Sequence, residues 1–141
     1  MQKTIPDVFF NMLPLPIIVV KHEDGTLNHP LSFVNDAFTE HFGWELSEIP
    51  DKNAWWHKAY PEEQYRKVVE RQWELVVETA LEDEDGFVLM TVNIMTKHKG
   101  IQRFRVYTEL DSILLEGYYV VALEPVAQIK ESVIPQLQSS L

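Results

Sequence analysis

The chain contains no cysteine, which excludes disulfides and thiol nucleophiles and agrees with a cytoplasmic location. Positive charge is scarce: 12 Lys and Arg stand against 22 Asp and Glu, for a net charge of −10. Such a chain repels a polyphosphate backbone, whose binding needs clustered Lys and Arg, so nucleic acid is not expected as a partner. Long apolar runs are missing too. Leu13 to Val20 is interrupted by Pro14 and Pro16 and falls well short of the ~20 residues that span a bilayer, so no membrane span is expected. Asp7 and Asn11 break the early apolar segment, and no small-residue cleavage site follows, as a secretory signal would require.

Motifs of catalysis are equally sparse. There is no Gly-rich phosphate loop, no Gly-x-Ser-x-Gly elbow and no carboxylate pair spaced for acid and base roles, so the chain is read as a non-enzyme. His22, His29, His41 and His98 lack the spacing of two histidines four apart on a helix, and they are read as surface residues, with no metal site. Placing Gly86 at the sixth position of a calcium loop puts Leu81 first and Val92 twelfth, where oxygen ligands are needed, so Glu82 to Asp85 is a solvated turn.

What is present describes one compact domain: 141 residues, 45% hydrophobic and 24% charged, in the range of ordinary globular proteins. Thr4 can cap a short helix with Asp7 three residues on, and Ile5, Val8, Phe9 and Met12 then share one apolar face. Pro14 and Pro16 end it. Ile17 to Val20 is a β-branched strand closed by Asp24-Gly25, and Leu31 to Val34 is a second strand. Asn35 sits where a helix N-cap belongs, and Gly43 ends that short helix.

Pro61 with Glu62 and Glu63 starts a long helix, whose stripe of Tyr65, Val69, Trp73, Val76, Val77 and Ala80 recurs every three to four residues. The period then changes to that of strands over Phe87 to Met95, Ile101 to Leu110 and Tyr118 to Leu123, with turns at Lys99-Gly100 and Glu116-Gly117. The order predicts an α+β domain with an antiparallel sheet.

The run Phe33-Val34-Asn35-Asp36-Ala37-Phe38 leading into Phe42-Gly43-Trp44, followed by Ala59-Tyr60-Pro61 and Tyr65-Arg66, resembles a PAS domain of the bacterial sensory-box type. The likeness covers roughly Leu13 to Pro125, with 1–12 as a flanking helix and 126–141 as a tail or linker. It implies a five-stranded antiparallel sheet in order 2-1-5-4-3, helices on one face, and a sensor role beside a histidine kinase, a diguanylate cyclase or a similar output domain. Where such domains often carry Asp-Ile-Thr, this chain reads Leu123-Glu124-Pro125-Val126. No room for a catalytic output domain remains before Leu141, so the module is expected to be excised or to work through a partner.

Within that resemblance, a light-driven flavin adduct needs a cysteine, which closes that option but not a flavin held without a covalent bond, and haem commonly needs a histidine on the long helix, which has none between Pro61 and Leu81. No cofactor is therefore expected, with haem and flavin both disfavoured. An unidentified small molecule is allowed between the long helix and the sheet, with Val69, Trp73, Tyr107 and Tyr119 as pocket candidates. Trp55, Trp56, Tyr60 and Trp73 could line a pocket, but at least two of them are expected to be core. Homodimerisation is expected through Ile5, Val8, Phe9 and Met12. Two functions follow: a small-molecule sensor, or a dimerisation and docking module with a filled core.

Overall fold

The computed structural model describes residues 6–82, 87–109 and 117–126. Strands β1 (Ile17–Lys21), β2 (Leu31–Val34), β3 (Phe87–Thr96), β4 (Gly100–Glu109) and β5 (Tyr118–Pro125) form one sheet in the order β2-β1-β5-β4-β3. Every pairing is antiparallel. This is the expected fold class and strand order. Helices α1 (Asp36–Phe42), α2 (Lys52–Ala59) and α3 (Glu63–Glu82) connect the second strand to the third and cover one face.

The other face of β1 is covered as well, which explains the unbroken run Ile17-Ile18-Val19-Val20: all four side chains are buried. Ile18 and Val20 point into the helical layer, whereas Ile17 and Val19 meet Phe10. Phe10 belongs to a 3-10 helix at Asp7–Met12, in place of the capped helix expected from Thr4. Thr4 and Ile5 lie outside the described residues, as does the acidic segment 83–86. Of the expected stripe, Val8, Phe9 and Met12 are exposed, while Phe10 packs on the sheet. The tighter 3-10 turn repeats every three residues, which rotates Phe10 inward and leaves its neighbours outside.

Two local signals hold as expected. Asn35 caps α1 by accepting from the Phe38 N–H at 3.0 Å. Gly43 ends it at φ +77°, a left-handed conformation that glycine adopts without a Cβ penalty. A Cβ there would also meet His98 and Lys97 atoms at 3.0 Å.

Asn35 does far more than cap. It is fully buried; its Oδ1 also accepts from the Ile17 N–H at 2.8 Å. Its Nδ2 donates to the Phe10 carbonyl at 2.7 Å and the Leu15 carbonyl at 2.9 Å. One side chain thus ties the 3-10 helix, the entry to β1 and the start of α1 together.

Candidate functional site

The helical layer meets the sheet through aromatic rings. Phe38, Phe42 and Trp55 pack edge-on or tilted, with centroids 4.7 to 5.5 Å apart, and Phe104 from β4 closes the group at 4.6 Å from Phe42. α3 lies across β3 as its stripe requires: Val69 and Ala80 are buried, and Lys67, Glu70, Arg71, Glu74 and Glu78 face outward. The Tyr65 hydroxyl accepts from the Asn93 backbone N–H at 2.8 Å, fastening the helix to the edge strand.

Between α2, α3 and the sheet the packing leaves a cavity of about 50 Å³. Its floor is aliphatic, from Ile18, Val20 and Leu31 across to Met90, Val106, Val121 and Leu123. Its wall is aromatic: Trp55, Trp56, Tyr60, Trp73 and Tyr119. Trp55 and Tyr60 are buried core, whereas Trp56 and Trp73 are half-buried. Beyond that wall lies an open groove of about 420 Å³ between α2 and α3, bordered by Leu27, Arg66, Glu70, Glu74, Val77 and Glu78.

Cavity and groove share three residues, Lys52, Trp56 and Trp73. The two indoles meet edge to face at 6.3 Å, and the Lys52 ammonium stands over both, 5.4 Å from the Trp56 ring and 5.6 Å from that of Trp73. This arrangement gains from the negative ring faces. Burial lowers the Lys52 ammonium below the ordinary lysine value, and Glu70 and Glu74 partly offset that. Lys52 is also the first residue of α2, at the positive end of the helix dipole, where a cation is disfavoured. Nothing in the periodicity marks it. The one available signal is a lysine directly after the capping Asp51, whose side chain accepts from the Ala54 N–H at 2.8 Å.

The four pocket candidates separate. Trp73 and Tyr119 line the cavity. Val69 is fully buried in the same core. Tyr107 pairs with Ala122, which belongs to the cluster on the opposite face, and its hydroxyl donates to Glu124 at 2.7 Å. Alternation fixes that difference: Phe104 and Val106 of β4 point into the helical core, so Tyr107 points away.

A polar path leads from the cavity to the surface. His29 Nδ1 lies 3.0 Å from the Tyr119 hydroxyl, a hydrogen bond whose direction depends on the tautomer. His29 is buried, contrary to its reading as a surface residue, because its ring packs against Tyr119 at 5.8 Å and against His22 at 4.8 Å. Burial pushes the Tyr119 hydroxyl up to about 12, so it stays protonated. Burial first, then the His22 and Lys52 charges, hold the His29 imidazole below its usual 6.5.

The sign of the pH effect follows. Above pH 6.5 both folded and unfolded His29 are neutral and the full stability is present; as pH falls below 6.5 the unfolded chain takes up the proton first, and stability is lost. His29→Gln is expected to flatten the melting temperature between pH 7 and 5 relative to the wild type. An unchanged slope in that variant would assign the acid sensitivity elsewhere.

No family model and no curated protein matches the sequence. Solved structures do. The chain is similar to the PAS domain of a Colwellia psychrerythraea protein, with a TM-score of 0.58 and 9% identity over 83% of this chain and 90% of that one. It is similar to a light-oxygen-voltage (LOV) domain studied through a flavin analogue, with a TM-score of 0.59 and 15% identity over 94% and 92%. It is similar also to a blue-light activated histidine kinase of Erythrobacter litoralis, with a TM-score of 0.57 and 16% identity over 94% of this chain and 41% of that one.

These likenesses overturn the expectation that flavin is disfavoured. That expectation rested on the missing cysteine, yet the thiol serves only the covalent adduct, and the fold adopted here recurs in several LOV structures. The cavity of about 50 Å³ is smaller than the ~300–1,000 Å³ of ordinary ligand sites. A ring system of flavin size does not fit that cavity as it stands, whereas the adjoining groove of about 420 Å³ lies within the range. The strand order, the single helical layer and the shared architecture make the fold of this chain that of the PAS and LOV sensor domains.

Proposed function

We propose that residues 13–125 form a non-catalytic sensory module that binds a small molecule between α2, α3 and the sheet and passes the signal to a partner or output domain. The observation that carries this reading is the cavity itself. Its apolar floor is separated from a solvent-facing groove only by half-buried side chains, a layout that suits an amphipathic ligand with a few fixed polar contacts. Flavin held without a covalent bond is one candidate ligand. The fold likeness to a blue-light activated histidine kinase supports an output of the kinase type. The net charge of −10 supports a protein rather than a nucleic acid as the partner.

The test is thermal melting across a metabolite library that includes riboflavin and its phosphate, repeated with Trp73→Ala. A ligand that raises the melting temperature of the wild type and has lost most of that effect in the variant supports sensing. If no compound shifts either protein, the module works by docking alone.

A second reading, homodimerisation, is supported by exposed apolar side chains on the 3-10 helix: Val8 at 69%, Phe9 at 38% and Met12 at 80%. Burying such side chains contributes ~1.5–3 kcal/mol each, against an association cost of ~4–15 kcal/mol. The dimer expected is weak, with Ile5 outside the described residues. Phe9→Asp is expected to shift sedimentation toward the monomer; unchanged sedimentation would remove this face from the interface.

A further inference from the structure

We propose that Lys52 anchors the carboxylate of a planar, largely apolar organic acid whose body lies against Trp56 and Trp73 and reaches into the cavity behind them. The inference rests on the sensor reading and names the chemistry of its ligand.

Lys52 is the one charged side chain on the cavity wall among the described residues. It is also without an ion-pair partner there: Lys67, Lys97 and Arg105 each have a carboxylate within 4.0 Å, at 3.4, 3.1 and 3.4 Å, and no such carboxylate is found for Lys52. Half-buried, it lacks full hydration, and Glu70 and Glu74 act on it only from beyond ion-pair distance. Of the two tyrosines on the wall, Tyr60 and Tyr119, the Tyr119 hydroxyl is engaged by His29. A carboxylate arriving from the groove would restore a charge-assisted hydrogen bond to the ammonium.

The rest of the site limits what carries that carboxylate. Two indole faces favour a flat body, and the aliphatic floor offers no partner for further polar groups. Glu70, Glu74 and Glu78 on the α3 side of the groove oppose every incoming negative charge and Arg66 offsets only part of this, so one carboxylate held at Lys52 is tolerated and a monoacid is preferred to a diacid. The groove of about 420 Å³ already lies within the range of ligand sites, and reaching the cavity behind it requires the two indoles to part.

Isothermal titration with benzoate, 2-naphthoate and indole-3-acetate, each beside its neutral amide, tests this. At least one acid is expected to bind roughly 10-fold or more tightly than its own amide, the scale of one charge-assisted hydrogen bond. Lys52→Met should abolish that difference while leaving amide binding, and Lys52→Arg should retain it. The acid affinity of the wild type should fall with added salt and the amide affinity should not, a readout that needs no variant. If amides bind as tightly as acids, the anchor is wrong and the pocket stands. If neither series binds and the metabolite library is also silent, the pocket reading falls with it.

Discussion

Asn35→Ala is expected to lower the stability of the domain by about 4 kcal/mol, among the largest effects of any single substitution here. Each buried partner left without a hydrogen bond costs ~1–3 kcal/mol, and alanine strands three of them, the Ile17 and Phe38 N–H groups and the Leu15 carbonyl, while the Phe10 carbonyl keeps the Leu13 N–H at 3.2 Å. Asn35 is 0% exposed, so bulk water does not replace those bonds. At this chain length the loss corresponds to a fall in melting temperature of roughly 10–15 °C. Asn35→Asp separates the two halves of the network. It keeps the acceptor for both N–H groups but sets a carboxylate against two carbonyls, so that variant should regain stability on acidification, when the carboxyl becomes a donor. Melting curves at pH 7 and 5 measure both. An alanine variant that melts within a few degrees of the wild type would show that the network carries little of the stability.

Trp55→Ala should cost a similar amount, about 3–5 kcal/mol by the usual price of emptying a buried tryptophan site. Trp55 is 6% exposed, stacks edge-on against Phe38 at 5.2 Å and Phe42 at 5.5 Å, and lines the cavity. Removing it therefore enlarges a space that already exists rather than making an isolated void. Apolar cavities of that kind take up small aromatics, so indole at millimolar concentration should raise the melting temperature of the variant and leave the wild type nearly unchanged. The size of that rescue follows from mass action on the folded state. No rescue would mean that the helical layer collapses into the gap, and that the cavity has no persistent shape to offer a ligand.

Local chemistry in the sequence determined most of the fold. The β-branched run at Ile17, the caps at Asn35 and Gly43, the three-to-four spacing from Tyr65 to Ala80 and the later change to a strand period each act over a few residues, and each appears where it was expected. Together with the PAS resemblance they implied the antiparallel sheet and its order. Burial of Val69 and the presence of Trp73 in the cavity wall follow from the same stripe.

Choices that depend on what lies across the fold were decided only by the tertiary structure. Alternation places Tyr107 and Tyr119 on definite faces of their strands, but which face receives the helices is set by the crossover from β2 to β3, and Tyr119 alone reaches the cavity. Phe10 rather than Val8, Phe9 or Met12 covers the outer face because the turn tightens to a 3-10 helix against β1. His29 is buried because a ring from β5 lies beside it, and Asn35 bonds to groups 18, 20 and 25 residues away. Lys52 carries the same limit furthest. A lysine beside a cap looks like any exposed helix residue, and it gains its setting only when α3 brings Trp73 over the ring of Trp56, because short-range periodicity says which side of a helix is apolar and not which neighbour it will meet.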